Sequence, residues 1–584
     1  MHTPTIRSNA EKCLDRFTER SAETRRLFHL LEHHTKTQKI LIFAVIGLAV
    51  FDPTMAFILA PFFILQMRAV VVKIRLRRQL DRASLATEFY RRAVKRIENH
   101  WIGDGNTGAQ YLGADEVFAD DLNLFGNGSL FQFLCASQTS IGDNMLAAWL
   151  TQPANADEIR ERQSAVREMS NNLDLREQLA VLPLDRGKFQ PQAVAEWTSA
   201  PELLPSRIAR ATAFALAVAF ASVILSFFGG FGPGVGITIL IVILELAFYT
   251  LFRSRLRSIR SHAKSVHATL IYLSLVQTVL QKSSFESRHL SNIRCMIAAG
   301  AVMPPWRVCA VYRFLMHEPL LAILLHQFVP SVDRWRRACA QPADAGLLAL
   351  GELEAISSLA QYSFIRPEAT FPTVVDTEKC FEAIGLAHPL VGADQRVEND
   401  LQLNSTSQLL LVSGSNMSGK STMLRTVGVN AVLALCGAPV CAKQLRISPF
   451  SIGTAMRFQD SLDNRTSHFY AVIVRLRRVM DLQEGKRPLL FLIDEILQGT
   501  NSHDRIRGAE AVVRKLIERG GVGLITTHDL ELTRIADTLG GRAANVHFAD
   551  TLMNGEIRFD YKMRPGVVES RNALTLMRKM RLID

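Results

Sequence analysis

Hydrophobic and polar positions divide the chain into stretches of three kinds. The first kind stays apolar for longer than a globular core needs. From Ile40 to Val72 the chain is almost uncharged, interrupted only by Asp52-Pro53, Gln66 and Arg68. That length suits one tilted membrane span with excess, or two short spans turned at Asp52-Pro53, since a crossing takes about 17–25 residues. Ala211–Phe228 and Val235–Phe252 are two further apolar blocks, separated by the flexible sequence GGFGPG at Gly229–Gly234. Each holds about 18 residues, close to spanning length, and the pair predicts a helical hairpin. A buried core helix is the alternative, but an apolar run of about ten to fourteen residues would serve that purpose. Glu245 inside the last block is costly in lipid and has to face a partner helix or the interface.

The second kind is short and apolar throughout: Leu409–Val412, Leu489–Ile493 and Gly523–Thr527. Such runs suit parallel strands covered on both faces. The third kind carries apolar residues at helical spacing, as in IGDNMLAAWL (Ile141–Leu150), EIRERQSAV (Glu158–Val166) and LGELEAISSLAQYS (Leu350–Ser363), and predicts core helices. At 584 residues the chain exceeds what one hydrophobic core usually supports, so several units are expected.

The chemistry lies at the ends of the apolar strands. Leu409–Thr422 reads LLLVSGSNMSGKST, with Gly414, Gly419, Lys420 and Ser421 in the spacing G-x-x-x-x-G-K-[ST] and Ser415, Asn416, Met417, Ser418 and Thr422 completing the loop. A strand precedes it and the helical pattern MLRTVGVNAVLAL follows. In that context backbone N–H groups and the helix N-terminus cradle the phosphates of ATP, Lys420 reaches the outer phosphates and Ser421 ligates Mg2+. The apolar strand from Pro488 ends in Asp494-Glu495, which predicts Asp494 in the Mg2+ shell and Glu495 polarising the attacking water. Thr526-Thr527 leads into His528-Asp529 at the usual ligand edge of an open α/β sheet, where His528 could sense the γ-phosphate.

These segments together resemble the MutS family. GSNMSGKSTMLR is similar to that family's phosphate loop, including Asn416 and Met417; LIDEILQGTNSHD (Leu492–Asp504) to its acidic strand and following loop; and TTHDLELT (Thr526–Thr533) to its histidine segment. QDSLDNRTSHFYAVI (Gln459–Ile473) resembles the family's signature segment, in which the resemblance implies that Ser467 reaches the ATP held by the opposite subunit. The glutamate expected soon after that serine is Val472 here. Upstream, DLNLFGNGSLFQFL (Asp121–Leu134) looks like the start of the family's helical core domain and Leu350–Ser363 like its end. GLAHPLV (Gly385–Val391), with His388, and END (Glu398–Asp400) resemble the segments that border the adenine.

The resemblance implies an α/β ABC-type (P-loop) ATPase domain plus an α-helical MutS-type core domain, to which the apolar runs add two transmembrane helical hairpins. The expected divisions are 1–110 with a hairpin at about 40–72, 111–370 as helical core interrupted by a hairpin at about 211–252, and 371–584 as ATPase, the bounds being sequence positions. Residues 1–110 are too short for the family's mismatch-reading domain, and FDYKMRPG (Phe559–Gly566) resembles the strand and turn near the end of its ATPase. The resemblance also implies a homodimer, which ATP closes and hydrolysis releases.

Charge sharpens the membrane expectation more than any other. The sequence holds 67 Lys and Arg against 55 Asp and Glu, a net charge of +12. Much of the excess flanks the apolar runs: Lys36 and Lys39, Lys73, Arg75, Arg77 and Arg78, then Arg207, Arg210, Arg253, Arg255, Arg257 and Arg260. Basic flanks on both sides predict a multi-pass membrane protein with both ends of each hairpin, and the ATPase, in the cytoplasm. The same charge suits double-stranded DNA gripped through its phosphates without strong mismatch selectivity. A protein partner, in signalling or membrane remodelling, remains the alternative output, and a transporter is disfavoured because the apolar runs do not form one contiguous unit. The eight cysteines form no C-x-x-C pair or His/Cys cluster, which argues against a zinc site or a disulfide framework, and the polar first residues argue against a signal peptide.

Overall fold

The fold comes from a computed structural model that describes residues 8, 11–29, 56–113, 118–184, 187, 189–202, 206–228, 235–301, 329–415, 417–456, 468–497, 502–553 and 556–568. Its first half is helical. Helix α1 (Ala56–Ile97) is followed by α2 (Ser140–Thr151), α3 (Ala156–Asn171), α4 (Pro191–Ser199), α5 (Arg207–Phe228), α6 (Val235–Leu280), α7 (Arg288–Gly300) and α8 (Val329–Ile365). Several starts are set locally: the Thr139 hydroxyl accepts from the Gly142 N–H at the head of α2, and the Asn155 side chain accepts from Glu158 at the head of α3. Asp157 and Glu158 add negative charge at the positive end of the α3 dipole. Helix α8 is the spine on which α2, α3, α4 and α7 pack. At its crossing with α7 the backbones touch, because a Cβ on Gly300 would lie 2.7 Å from the Gly346 Cα.

The hairpin expected at 211–252 is two helices, but neither stops at the apolar run. Helix α5 begins at Arg207, and α6 continues past Phe252 for 46 residues in all, about 69 Å at 1.5 Å per residue, until Leu273, Val276 and Leu280 lie in the core. The segments Arg207–Phe227 and Val235–Ser254 are long and apolar enough to cross a membrane, and only 6% and 12% of their apolar windows are buried. Glu245 is on the covered side, 3% exposed, one turn before the buried Phe248. Of the first apolar stretch, residues from Ala56 onward form one helix continuous with the charged segment to Ile97; the Asp52-Pro53 turn lies outside the described residues.

The second half is α/β. A four-stranded sheet has the order β1 (Thr373–Val374), β5 (Gln444–Ile447), β2 (Cys380–Leu386), β3 (Asn399–Asn404). A six-stranded sheet has the order β10 (Glu556–Pro565), β9 (Ala543–Met553), β4 (Leu409–Ser413), β8 (Val522–Thr527), β7 (Leu489–Ile493), β6 (Ser451–Ala455). Its strands are parallel except for β10, which returns antiparallel along β9. β4, β7 and β8 are buried at every position, which is why their sequences are continuously apolar instead of alternating. Helices α9 (Lys420–Leu435), α10 (His468–Asp481) and α11 (Ser502–Glu518) connect them.

Helices end at Ile365 and strands begin at Thr373, yet the apolar core does not divide there. One cluster runs from Trp101, Leu122 and Phe131 through Leu353 and Tyr362 to Leu424, Val429 and Leu492. The helical part and the α/β part are therefore packed against each other over a shared core.

Candidate nucleotide site

Parallel strands end along one edge of the six-stranded sheet, and the loops that follow β4, β7 and β8 meet there. The β4–α9 loop turns on residues with positive φ: Gly414 at 150°, Met417 at 71° and Gly419 at 105°. A Cβ on Gly414 would lie 2.8 Å from the Ser418 hydroxyl and 3.0 Å from the Phe548 carbonyl, so both conformation and space call for glycine there. Ser418 is buried, whereas Met417 is 84% exposed at the loop tip. Lys420 opens α9 and folds back so that its ammonium donates to the carbonyls of Gly414 (2.8 Å) and Ser415 (2.9 Å). Burial pushes the Lys420 pKa down, and the nearby carboxylates of Glu495 and Asp494 oppose that shift. An outer phosphate would add a full negative charge to the ammonium so held.

A cavity of about 780 Å3 adjoins the loop. Gly419, Lys420, Ser421 and Thr422 line it together with Glu495, His388, Arg396, Asn399 and Tyr561. His388 is pushed down to about 4, first by burial and then by the charges of Arg425 and Arg396, so its ring is neutral at pH 7. Its Nδ1 accepts from the Leu390 N–H. Arg396 fastens the loop before β3 by donating to the Val391 carbonyl at 2.7 Å and to Glu368 at 2.8 Å.

Asp494 and Glu495 follow β7 directly. Thr526, in β8, joins them: its hydroxyl donates to the Asp494 carboxylate and accepts from the Glu495 N–H at 2.9 Å. Glu495 itself has φ 49°, a left-handed conformation that costs about 1–2 kcal/mol for a residue with a Cβ. The turn it makes separates the two carboxylates: Glu495 lines the cavity and Asp494 does not. His528 also stands off the cavity wall, with Nδ1 3.4 Å from the Glu495 carboxylate. The structure thus brings together Gly414, Ser415, Met417, Ser418, Gly419, Lys420, Ser421, Thr422, His388, Asp494, Glu495 and His528; Asn416 and Ser467 lie outside the described residues. Ser421 and Asp494 are hard oxygen donors of the type Mg2+ takes. Among the described residues no three-ligand acidic or histidine cluster exists.

Two contributors were not singled out in the sequence. Thr526 reads there simply as part of an apolar strand. Tyr561 interrupts the β9–β10 pairing between Phe559 and Met563, has φ 54°, and places its ring 3.0 Å from where a Gly419 Cβ would be. Asn399 secures that bulge, donating to the Tyr561 carbonyl at 3.0 Å and accepting from the Met563 N–H at 2.7 Å. Val472, where a glutamate was expected, is 2% exposed in the apolar layer with Leu476, Val479 and Phe491, so that position offers no polar contact.

Residues 410–582 match MutS domain V, and residues 116–188 match MutS domain III. The similarity is to the MutS family. The domain V match begins inside β4 and covers the phosphate loop, the acidic strand and His528; the domain III match takes in Asp121 and helices α2 and α3. The chain is 32% identical over 230 residues to the DNA mismatch repair protein MutS of Natronomonas pharaonis, covering 38% of this chain and 26% of that one. It is 31% identical over 228 residues to MutS of Geobacillus kaustophilus (37% and 24%) and 35% identical over 192 residues to MutS of Thermotoga neapolitana (32% and 23%). The chain therefore spans about a quarter of the length of these MutS relatives.

Proposed function

We propose that this chain is a Mg2+-dependent ATPase of the MutS type, which works as a homodimer, is held in a membrane by its apolar helices, and acts on DNA through the phosphate backbone. The observation that carries the reading is the cavity lining: a positive-φ glycine loop, a lysine whose ammonium donates to two loop carbonyls near the carboxylates of Glu495 and Asp494, and Glu495 in the same lining. On ATP binding, Lys420 exchanges the Gly414 and Ser415 carbonyls for outer phosphate oxygens. Ser421 and Asp494 are the residues that would hold Mg2+, which would supply charge neutralisation on the phosphates. Glu495 orients the attacking water, and His528, in contact with Glu495, keeps that carboxylate turned to the cavity. The Tyr561 ring and the neutral His388 give the base an apolar and an aromatic surface.

The dimer is supported by apolar residues left in water beside the site. Met417 is 84% exposed, and Tyr470 and Ile473 near the start of α10 are 58% and 43% exposed. Burying them against a second copy would bring the segment containing Ser467 toward the partner's nucleotide. The membrane reading is supported by how little of α5 and the first part of α6 is buried, 6% and 12% of their apolar windows, and the DNA reading by the net charge of +12 and the names of the relatives. A protein or lipid partner is the second reading for the output, favoured by the same exposed helices.

Replacing Lys420 by alanine tests the nucleotide site. Titration with a fluorescent ATP analogue should show binding weakened by about 30- to 150-fold, since a charge-assisted contact of about 2–3 kcal/mol is lost. Unchanged affinity would remove the loop from the nucleotide site.

A further inference from the structure

Asp121 belongs to the segment that opens the helical core, but its side chain is spent on the α/β part. The residue is fully buried. Its Oδ2 accepts from the Thr454 hydroxyl at 2.6 Å, from the Met456 N–H at 3.0 Å and from the Arg475 guanidinium at 2.8 Å. Thr454 lies in β6, Met456 follows that strand, and Arg475 lies on α10. The Asp121 carbonyl accepts from Arg425, on the helix that Lys420 begins, at 3.2 Å. The next residue, Leu122, enters the notch left by Gly428 one turn along α9: a Cβ there would meet Leu122 at 2.4 Å.

From this plug the chain runs on without slack. Ser129 caps the short helix Leu130–Leu134, the Ala136 N–H donates to Ser358 of α8 at 3.0 Å, and Thr139 donates to Glu354 of α8 through both its N–H (3.1 Å) and its hydroxyl (2.8 Å). At its other end α8 carries Trp335, Cys339 and Ala343 into the cluster that holds Phe248 and Val266 of α6. A buried carboxylate with a cationic partner is a poor adhesive, because desolvation consumes most of the attraction; two apolar surfaces would hold the parts together at lower cost. What it supplies is one geometry, fixed by directional bonds to three groups, two at the end of β6 and one on α10.

We propose that Asp121 is the positioning residue through which the nucleotide state of α9 and α10 sets the position of α8, and with it the base of the apolar hairpin. The proposal rests on the nucleotide-site reading above. When Lys420 leaves its loop carbonyls for a phosphate, the N-terminus of α9 shifts, and Arg425 and Gly428 carry that shift to Asp121 and Leu122. The apolar plug transmits displacement; the carboxylate keeps β6 and α10 in step with it.

The test compares the full-length protein with Asp121→Asn and with the milder Thr454→Val, in detergent, with and without Mg2+ and the non-hydrolysable analogue AMP-PNP. Three quantities are read: affinity for AMP-PNP, hydrogen exchange of residues 350–365 in α8, and steady-state ATP turnover. Asparagine keeps the shape and can still accept from Thr454 and Met456 but removes the charge that holds Arg475. The expected result is an exchange change on nucleotide binding in the wild type that is lost in Asp121→Asn and reduced in Thr454→Val. AMP-PNP affinity should stay within about threefold, below the roughly 5-fold floor of ordinary couplings. ATP turnover should fall in kcat with KM retained. If Asp121→Asn does not fold, Thr454→Val decides in the same way. Wild type that binds AMP-PNP without an exchange change in α8, or variants with the wild-type change, overturn the coupling; wild type that fails to bind AMP-PNP overturns the nucleotide-site reading instead.

Discussion

The phosphate-loop helix and the hairpin helices are alike in sequence and opposite in environment. Nearly all of α9 from Met423 to Leu435 is buried, against the sheet on one side and the Asp121–Leu122 segment on another. Helix α5 is at least as apolar, and 6% of its apolar window is buried. A continuously apolar helix says that water is excluded; it does not say by what. For α9 the excluding material is this chain itself. For α5 and the start of α6 it has to come from elsewhere, and side chains such as Phe214, Leu225, Phe227 and Leu251, each at least two-thirds exposed, would otherwise form a large apolar patch in water.

The largest effect that can break this contrast is partition. If lipid covers α5 and α6, the protein should remain with membranes through alkaline carbonate washing and be released only by detergent. Cysteine reporters placed at Arg78, Arg207 and Arg257 should react from the cytoplasmic side. Recovery in the soluble fraction without detergent would mean that another protein surface, or a second copy, covers the helices. A smaller effect separates DNA from other partners. Affinity for matched and mismatched duplexes of equal length should be the same and fall steeply with salt, as binding through phosphates requires. A tenfold preference for the mismatch, about 1.4 kcal/mol, would reveal base-level recognition; no binding at low salt would point to a protein or lipid partner.

The smallest effect concerns pH and the two parts of the shared core. Burial pushes the Glu354 carboxyl up to about 7, which the Thr139 hydrogen bonds only partly offset. Its folded value lies above its unfolded one, so its contribution to stability is full below about 4.5 and is lost as pH rises through about 7. His388 behaves oppositely: with a folded value of about 4, its contribution is present above about 6.5 and lost as pH falls. Between about pH 4.5 and 6.5 the two oppose each other. Glu354→Gln should therefore make stability rise with pH across that window more steeply than in the wild type, by on the order of 1–3 kcal/mol. Thermal unfolding of both proteins from pH 4.5 to 7 checks it, and parallel curves would contradict it.

How much of the site could be read in advance depended on how local its determinants are. The phosphate loop was legible because strand, glycines, lysine and helix are contiguous, and the same holds for the acids after β7. Tyr561 was not, because its place beside Gly419 depends on a β-bulge and on Asn399 far back in the chain. Asp121 lies more than three hundred residues from Thr454 and Arg475, whose bonds give it meaning. The division expected at residue 371 marks the change from helices to strands and misses the single core that crosses it. Neither the long continuation of α6 nor the burial of Val472 has a signal that a residue-by-residue pattern carries, since each is decided by what packs against it.

The central claim is a nucleotide site that hydrolyses ATP and joins two copies when ATP is bound. Glu495→Gln tests it most directly, because it leaves the loop and Lys420 intact while removing the carboxylate that orients water. The account predicts that this variant binds ATP with near wild-type affinity, turns it over about 100-fold or more slowly, and accumulates as a dimer in ATP by light scattering of the detergent-solubilised protein. Wild-type turnover, or a variant that stays monomeric with ATP bound, would contradict it.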